Sequence, residues 1–154
     1  MDYLHVVLHP ATVHLPIGVF FAACVLTGIA WRRKSVDLEG TGYTLVVFSW
    51  YSLIPATVTG IYDAVQRLRD VQTPAEALFW INLHAVSALL LWFMNWQAWQ
   101  LRRRMQTVPI WEAQSYKKYG VRLIVGLICI VVSGWSGGYM VYSLRLGVSP
   151  GVLP

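Results

Sequence analysis

The sequence predicts an all-α integral membrane protein, a four-helix bundle of up-down topology with both termini on the outer side. Three observations carry this. First, the stretches 11–31, 41–62, 77–101 and 123–144 contain no Asp, Glu, Lys or Arg, and each exceeds the roughly 18 apolar residues that mark a spanning helix. Second, none shows the polar stripe at a period of 3.6 that a helix on a water-soluble core would carry. Third, the remaining charges are sorted by side. Arg32, Arg33 and Lys34 follow the first stretch, and Arg102, Arg103, Arg104, Lys117, Lys118 and Arg122 follow the third, nine basic residues against three (Arg67, Arg69, Arg145) at the other end. By the positive-inside rule the two basic loops face the cytoplasm and the termini face outward, in the bacterial inner (cytoplasmic) membrane. The net charge of +5 is this loop bias. It leaves no soluble basic surface for nucleic acid; the lipid bilayer is the first partner.

The elements follow in order, as one domain over 1–154. Residues 1–9 read as a short outer arm. They hold no basic residue, and the apolar run behind them is longer than the h-region of a signal peptide, so helix 1 is expected to stay in place. Pro10 suits the first helical position, where a missing N–H costs nothing. Helix 1 runs over 11–31 and helix 2 over 41–62. The loop 63–75, "DAVQRLRDVQTPA", is amphipathic. Thr73 as N-cap and Glu76 at N3 open helix 3, 77–101. The connection 102–120 is the longest. Helix 4 covers 123–144, and "GVSPGVLP" forms the tail. Pro16 and Pro55 fall inside helices and release carbonyls one turn earlier, near residues 12 and 51; neighbouring helices can re-satisfy these. Cys24 and Cys129 read as core residues. No Cys-x-x-Cys-His is present, so covalent c-type haem is excluded.

The four histidines, His5, His9, His14 and His84, all lie in the outer half. An ionisable residue inside a membrane segment points to function by default. His84 is the strongest case, because "FWINLHAVSALLL" offers only Asn82 and Ser87 as polar company. His14, four residues past Pro10, sits about 6 Å deep, and His84, eight past Glu76, about 12 Å deep, at 1.5 Å per residue. Both helices enter from the same face. A neutral imidazole can bind metal through one nitrogen and a hydrogen-bond partner through the other. Two imidazoles without thiolate or carboxylates make a poor zinc site, which takes four ligands, and a good axial pair for haem b. His14 and His84 are therefore the candidate metal ligands, with Asn82, Ser87 or the carbonyl near Thr12 released by Pro16 as the groups that would orient them. His9 is the reserve ligand on helix 1. His5 and His9, spaced i, i+4, otherwise read as interfacial, and either is a candidate for a second cofactor.

Helix 4 carries "SGWSGG" at 133–138. Gly134 and Gly138 form GxxxG, which admits either a close helix or a macrocycle. Trp92, Trp96 and Trp99 read as the inner aromatic belt. Asp63, expected just past helix 2, is either solvated or a proton-handling group beside a quinone.

"HPATVHLPIG", "TGIYD", the histidine of helix 3 and "GGYMVYSLRLGV" together resemble a four-helix bacterial membrane family catalogued as a domain of unknown function. The matching positions are His9, Pro10, His14, Pro16 and Gly18; Gly60 and Asp63; His84; and Gly137, Gly138 and Tyr142. Some members of that family are joined to Rieske iron–sulfur modules, so the resemblance implies a setting near quinone or electron-transfer chemistry. The family often has a histidine where Leu144 stands here, which weakens the case for a second haem.

Two functions remain. One is a b-type cytochrome-like subunit of a larger redox complex, holding haem b and exchanging electrons near the outer face with a quinol or with an iron–sulfur or cytochrome protein. The other is a non-catalytic accessory subunit of a respiratory or photosynthetic complex, with structural or pigment-binding histidines. An independent enzyme is disfavoured, since no nucleophile–base pair or carboxylate dyad appears. The lack of charge inside the spans argues against an ion pathway.

Overall fold

The computed structural model describes residues 3–69, 75–105 and 108–146, and the side chains of 3–7, 67 and 68 lie outside the description. The expected cap at Thr73, the tail 147–154 and the His5 side chain therefore fall outside the described residues. Four helices are present in the described chain: α1 (Tyr3–Arg33), α2 (Val36–Leu68), α3 (Ala75–Arg104) and α4 (Tyr116–Tyr142). All four are long and apolar enough to cross a membrane. Adjacent helices alternate in direction, which gives the up-down bundle. One end carries the histidines and the other carries the basic clusters.

Every helix extends beyond its charge-free stretch. The arm is helical from Tyr3, so Pro10 lies inside α1 and not at its first position. Asp63 lies inside α2. The first half of the expected amphipathic outer loop is the end of that helix. At the basic end, 108–115 folds back beneath the bundle and buries Ile110 and Ala113. α4 then begins seven residues earlier than its charge-free run, at Tyr116. Charged residues in the added turns of α2, α3 and α4 hide them from a hydropathy reading, whereas those before residue 11 in α1 carry none and are obscured by Pro10.

The α1–α2 connection shows how little chain a reversal needs. Lys34 adopts a left-handed φ of 54°, and Ser35 N–H donates to the Ala30 carbonyl at 3.1 Å, the bond of a Schellman cap. The same Ser35 then caps α2, its Oγ accepting from Leu38 N–H at 3.4 Å. Asp37 and Glu39 stand in the first turn of α2, where the helix dipole favours negative charge.

Packing follows membrane rules. α1 lies along α2 and α3 along α4, and these two hairpins meet more narrowly through α2–α3 and α1–α4. The surface is apolar: Val131, Val86, Phe79 and Val58 are each more than 60% exposed, as suits lipid. The interior contains Ser49, Ser52, Asn95, Ser87, Ser133, Ser136, Thr27 and Glu39 beside Phe20, Val46, Leu53, Leu91 and Leu123. In lipid, apolar burial does not drive helices together, so close packing and interhelical hydrogen bonds must. Both occur. A Cβ on Gly126 would meet the Phe20 ring at 2.6 Å, and one on Gly42 would meet Thr27 Oγ1 at 2.9 Å. Asn95 Nδ2 donates to Ser49 Oγ at 3.0 Å, and Ser49 Oγ donates to the Pro16 carbonyl at 3.2 Å, joining α3, α2 and α1.

The tryptophans split. Trp92 and Trp99 turn inward against Trp50, with ring centres 5.8 and 5.3 Å away. Of the three, Trp96 alone keeps the exposed position of a belt residue, stacked on Phe93. The free Cys24 is half-buried and Cys129 is buried, as core residues should be.

Candidate functional site: a histidine pair on the bundle axis

His9 on α1 and His84 on α3 meet across the bundle. Their ring centres are 6.0 Å apart and the planes are nearly perpendicular, at 85°. α1 and α3 are diagonal partners, so the two side chains reach each other over the axis itself.

Each ring is held by a different neighbouring helix. His9 Nδ1 and Thr59 Oγ1 of α2 are 3.1 Å apart. Thr59 in turn meets Thr12 Oγ1 at 2.9 Å, and Thr12 donates to the His9 carbonyl at 2.9 Å. Asp63, one turn beyond Thr59, is close enough for its charge to act on His9. His84 Nδ1 lies 2.9 Å from the Ser133 carbonyl of α4, which makes Nδ1–H the donor there. Ser133 Oγ and Ser136 Oγ crowd the same nitrogen at 3.3 Å each. All four helices thus contribute to one polar cluster. At the mouth beside it, Tyr139 OH donates to Glu76 Oε1 at 3.0 Å, and Trp80 packs on the Tyr139 ring at 4.3 Å.

Two glycines make room for the rings. A Cβ on Gly60 would stand 2.8 Å from His9 Cε1, and one on Gly137 would stand 3.3 Å from His84 Cε1. Gly134 and Gly138 have a different setting: a Cβ on either meets nothing within 4 Å. The GxxxG pair therefore faces outward, and of its two readings the close contact with another helix is not formed within the described residues.

His14 also departs from expectation. It is exposed, and its Nδ1 turns back onto the Pro10 carbonyl. His84 is brought together with His9, the reserve candidate, and not with His14. Five residues at 100° each carry His14 about 140° around α1 from His9. Asn82 is exposed. Ser87 donates to the His84 backbone carbonyl at 2.9 Å and so steadies the chain, not the ring. Thr12 joins the cluster through its hydroxyl and not through the expected carbonyl.

Thr59, Ser133 and Ser136 are members of the site that the sequence reading misses, and Gly60 and Gly137 enter it only as positions matched by the family resemblance. A signal exists in the spacing. His9, Thr12, Pro16, Phe20, Ala23, Thr27 and Ala30 advance by three or four residues, and Pro16, Phe20, Ala23, Thr27 and Ala30 are buried. Tyr119, Leu123, Gly126, Cys129, Ser133 and Ser136 do the same on α4. In lipid the inward stripe is marked by small and polar residues. His14, Gly134 and Gly138 lie off those stripes.

Helices of this length around a polar axis define a multi-pass membrane protein with a built site at one end. The chain belongs to the family described as "Predicted membrane protein (DUF2231)", whose model matches residues 5–150. No curated protein and no solved structure matches it.

Proposed function

We propose that this chain is a membrane-embedded, b-type cytochrome-like subunit of a larger redox complex, in which His9 and His84 would hold one haem b. The observation that carries the reading is the pair itself: two imidazoles from diagonal helices, 6.0 Å apart, each oriented through Nδ1 by another helix. A histidine that ligates through Nε2 typically donates its Nδ1–H to a carbonyl or hydroxyl, which fixes tautomer and aim. The Ser133 carbonyl does this for His84.

The donor set fits haem better than zinc. Among the described residues no group of three or more His, Cys, Asp or Glu gathers, whereas zinc takes four ligands and haem iron needs only axial ones. When bound, the haem would supply a one-electron couple. The chain's own residues orient the rings, keep side chains off them at Gly60 and Gly137, and offer Asp63 and the Glu76–Tyr139 pair for protons at the mouth. The basic loops support a histidine end facing outward from the bacterial cytoplasmic membrane. There a quinol, or an iron–sulfur or cytochrome protein, would exchange electrons. The scarcity of chain between the helices supports residence among other membrane subunits.

The test is a reduced-minus-oxidised spectrum and a pyridine haemochromogen assay on protein purified with its native partners. Low-spin haem b that is lost in His84→Leu and His9→Leu, and kept in His14→Leu, is the expected result. Protein without haem under these conditions would overturn the reading. It would leave the histidine cluster as the structural axis of an accessory subunit.

A further inference from the structure

We propose that the groove between α2 and α3 at the basic end is a site for a diacyl anionic phospholipid, its phosphate on Arg103 and one acyl chain along the aromatic wall. The groove is open on its outer side, has a volume of about 640 Å³, and its lining includes Tyr43, Thr44, Phe48, Tyr51, Trp99 and Arg103. It has a polar head and an apolar body. Thr44, Phe48 and Tyr51 recur at i, i+4 and i+7 and so form one strip of α2, about 10 Å long at 1.5 Å per residue. On α3, Trp99 and Arg103 are one turn apart. Trp99 is fixed by Tyr51 at 5.8 Å and by Trp50 at 5.3 Å between ring centres, so the wall is built and not merely available.

Charge selects the occupant. Arg102 is taken up by buried Glu39. Arg103 is exposed and makes no ion pair among the described residues. A guanidinium at the mouth of a bilayer-facing groove calls for an anion, and its planar fork suits phosphate oxygens. Basic pockets between spanning helices are known to take acidic lipid headgroups. Phe48 and Tyr51, each about half exposed, are suited to a hydrocarbon chain. A neutral ring ligand would leave the Arg103 charge unused.

The experiment is native mass spectrometry of the full chain in zwitterionic detergent, titrated with phosphatidylglycerol or phosphatidylcholine. Wild type should retain phosphatidylglycerol in preference. Arg103→Gln should weaken that retention about fivefold, the effect of one basic side chain at an anionic lipid surface. Arg104→Gln, which removes the same charge one residue away, should leave it unchanged. Three results would each overturn the proposal: equal losses in the two variants, equal retention of phosphatidylcholine, or displacement by glycerol phosphate, which lacks acyl chains.

Discussion

The two ends of the bundle solve the same problem with different chemistry. Helices in lipid must be joined by packing and polar contacts. At the histidine end the joints are neutral: hydroxyls and a carbonyl around two imidazoles, drawn from all four helices. At the basic end the joint is charged. Glu39 is 3% exposed, pairs with Arg102 and accepts from Ile110 N–H at 3.1 Å. One carboxylate thereby ties α2, the end of α3 and the following loop, and buried Ile110 closes the opening. The lesson is a division of labour. The basic end is sealed by a buried ion pair whose two charges are turned on each other. The histidine end keeps side chains whose chemistry is available.

The comparison breaks most sharply at Glu39. Glu39→Gln leaves Arg102 buried without its counter-ion and should cost about 3–5 kcal/mol, read by reversible unfolding in detergent. The double replacement Glu39→Met, Arg102→Met should recover most of that loss. If Glu39→Gln unfolds like wild type, the seal is not where the basic end gets its stability.

Next in size come the glycines behind the rings. Gly60→Ala forces the His9 ring to move and should cost about 1–3 kcal/mol. Gly137→Ala should cost less, because its contact is looser. Gly138→Ala should stay within about 0.5 kcal/mol, as at an open surface position. A Gly138 variant more damaging than the Gly60 variant would show that the outward face of α4 is covered in the assembled protein.

His84→Leu should cost about 1 kcal/mol through the bonds lost to α4, with His14→Leu close to zero in the same melt. Among the interhelical joints, the smaller loss belongs to the middle of the membrane. Asn95→Leu removes a single interhelical bond, worth about 0.6 kcal/mol on average in lipid. Equal losses for His84→Leu and Asn95→Leu would mean that the histidine end is one more joint, without special anchoring.

The spans are legible because a charge-free run of more than about 18 residues is long enough to cross the hydrocarbon core and too apolar for water. The helix ends are not. Tyr116–Arg122 and Asp63–Leu68 carry charges, and hydropathy reads the bilayer, not the helix. His84 is legible as an ionisable residue in apolar company. Its partner is obscured by Pro10, which suits a helix start; a helix opening there would put His9 outside and leave His14 as the natural choice. The serines of α4 are inconspicuous beside its glycines, and the GxxxG pair that stands out in the sequence lies on the outward face. Glu39 is hard to see because a carboxylate beside a basic loop looks solvated. Only the fold of 108–115 buries it.

The hairpin arrangement has a consequence for biogenesis. α1 and α2 can enter the bilayer as one unit and α3 and α4 as another, each with its own tight pairing. His9 travels with the first and His84 with the second. Neither hairpin owns a complete pair, so anything gripped by both rings can be captured only after the second has docked. For a cofactor held as proposed, loading would then double as a proofreading step, since a half-inserted or misdocked chain would have nothing to hold with.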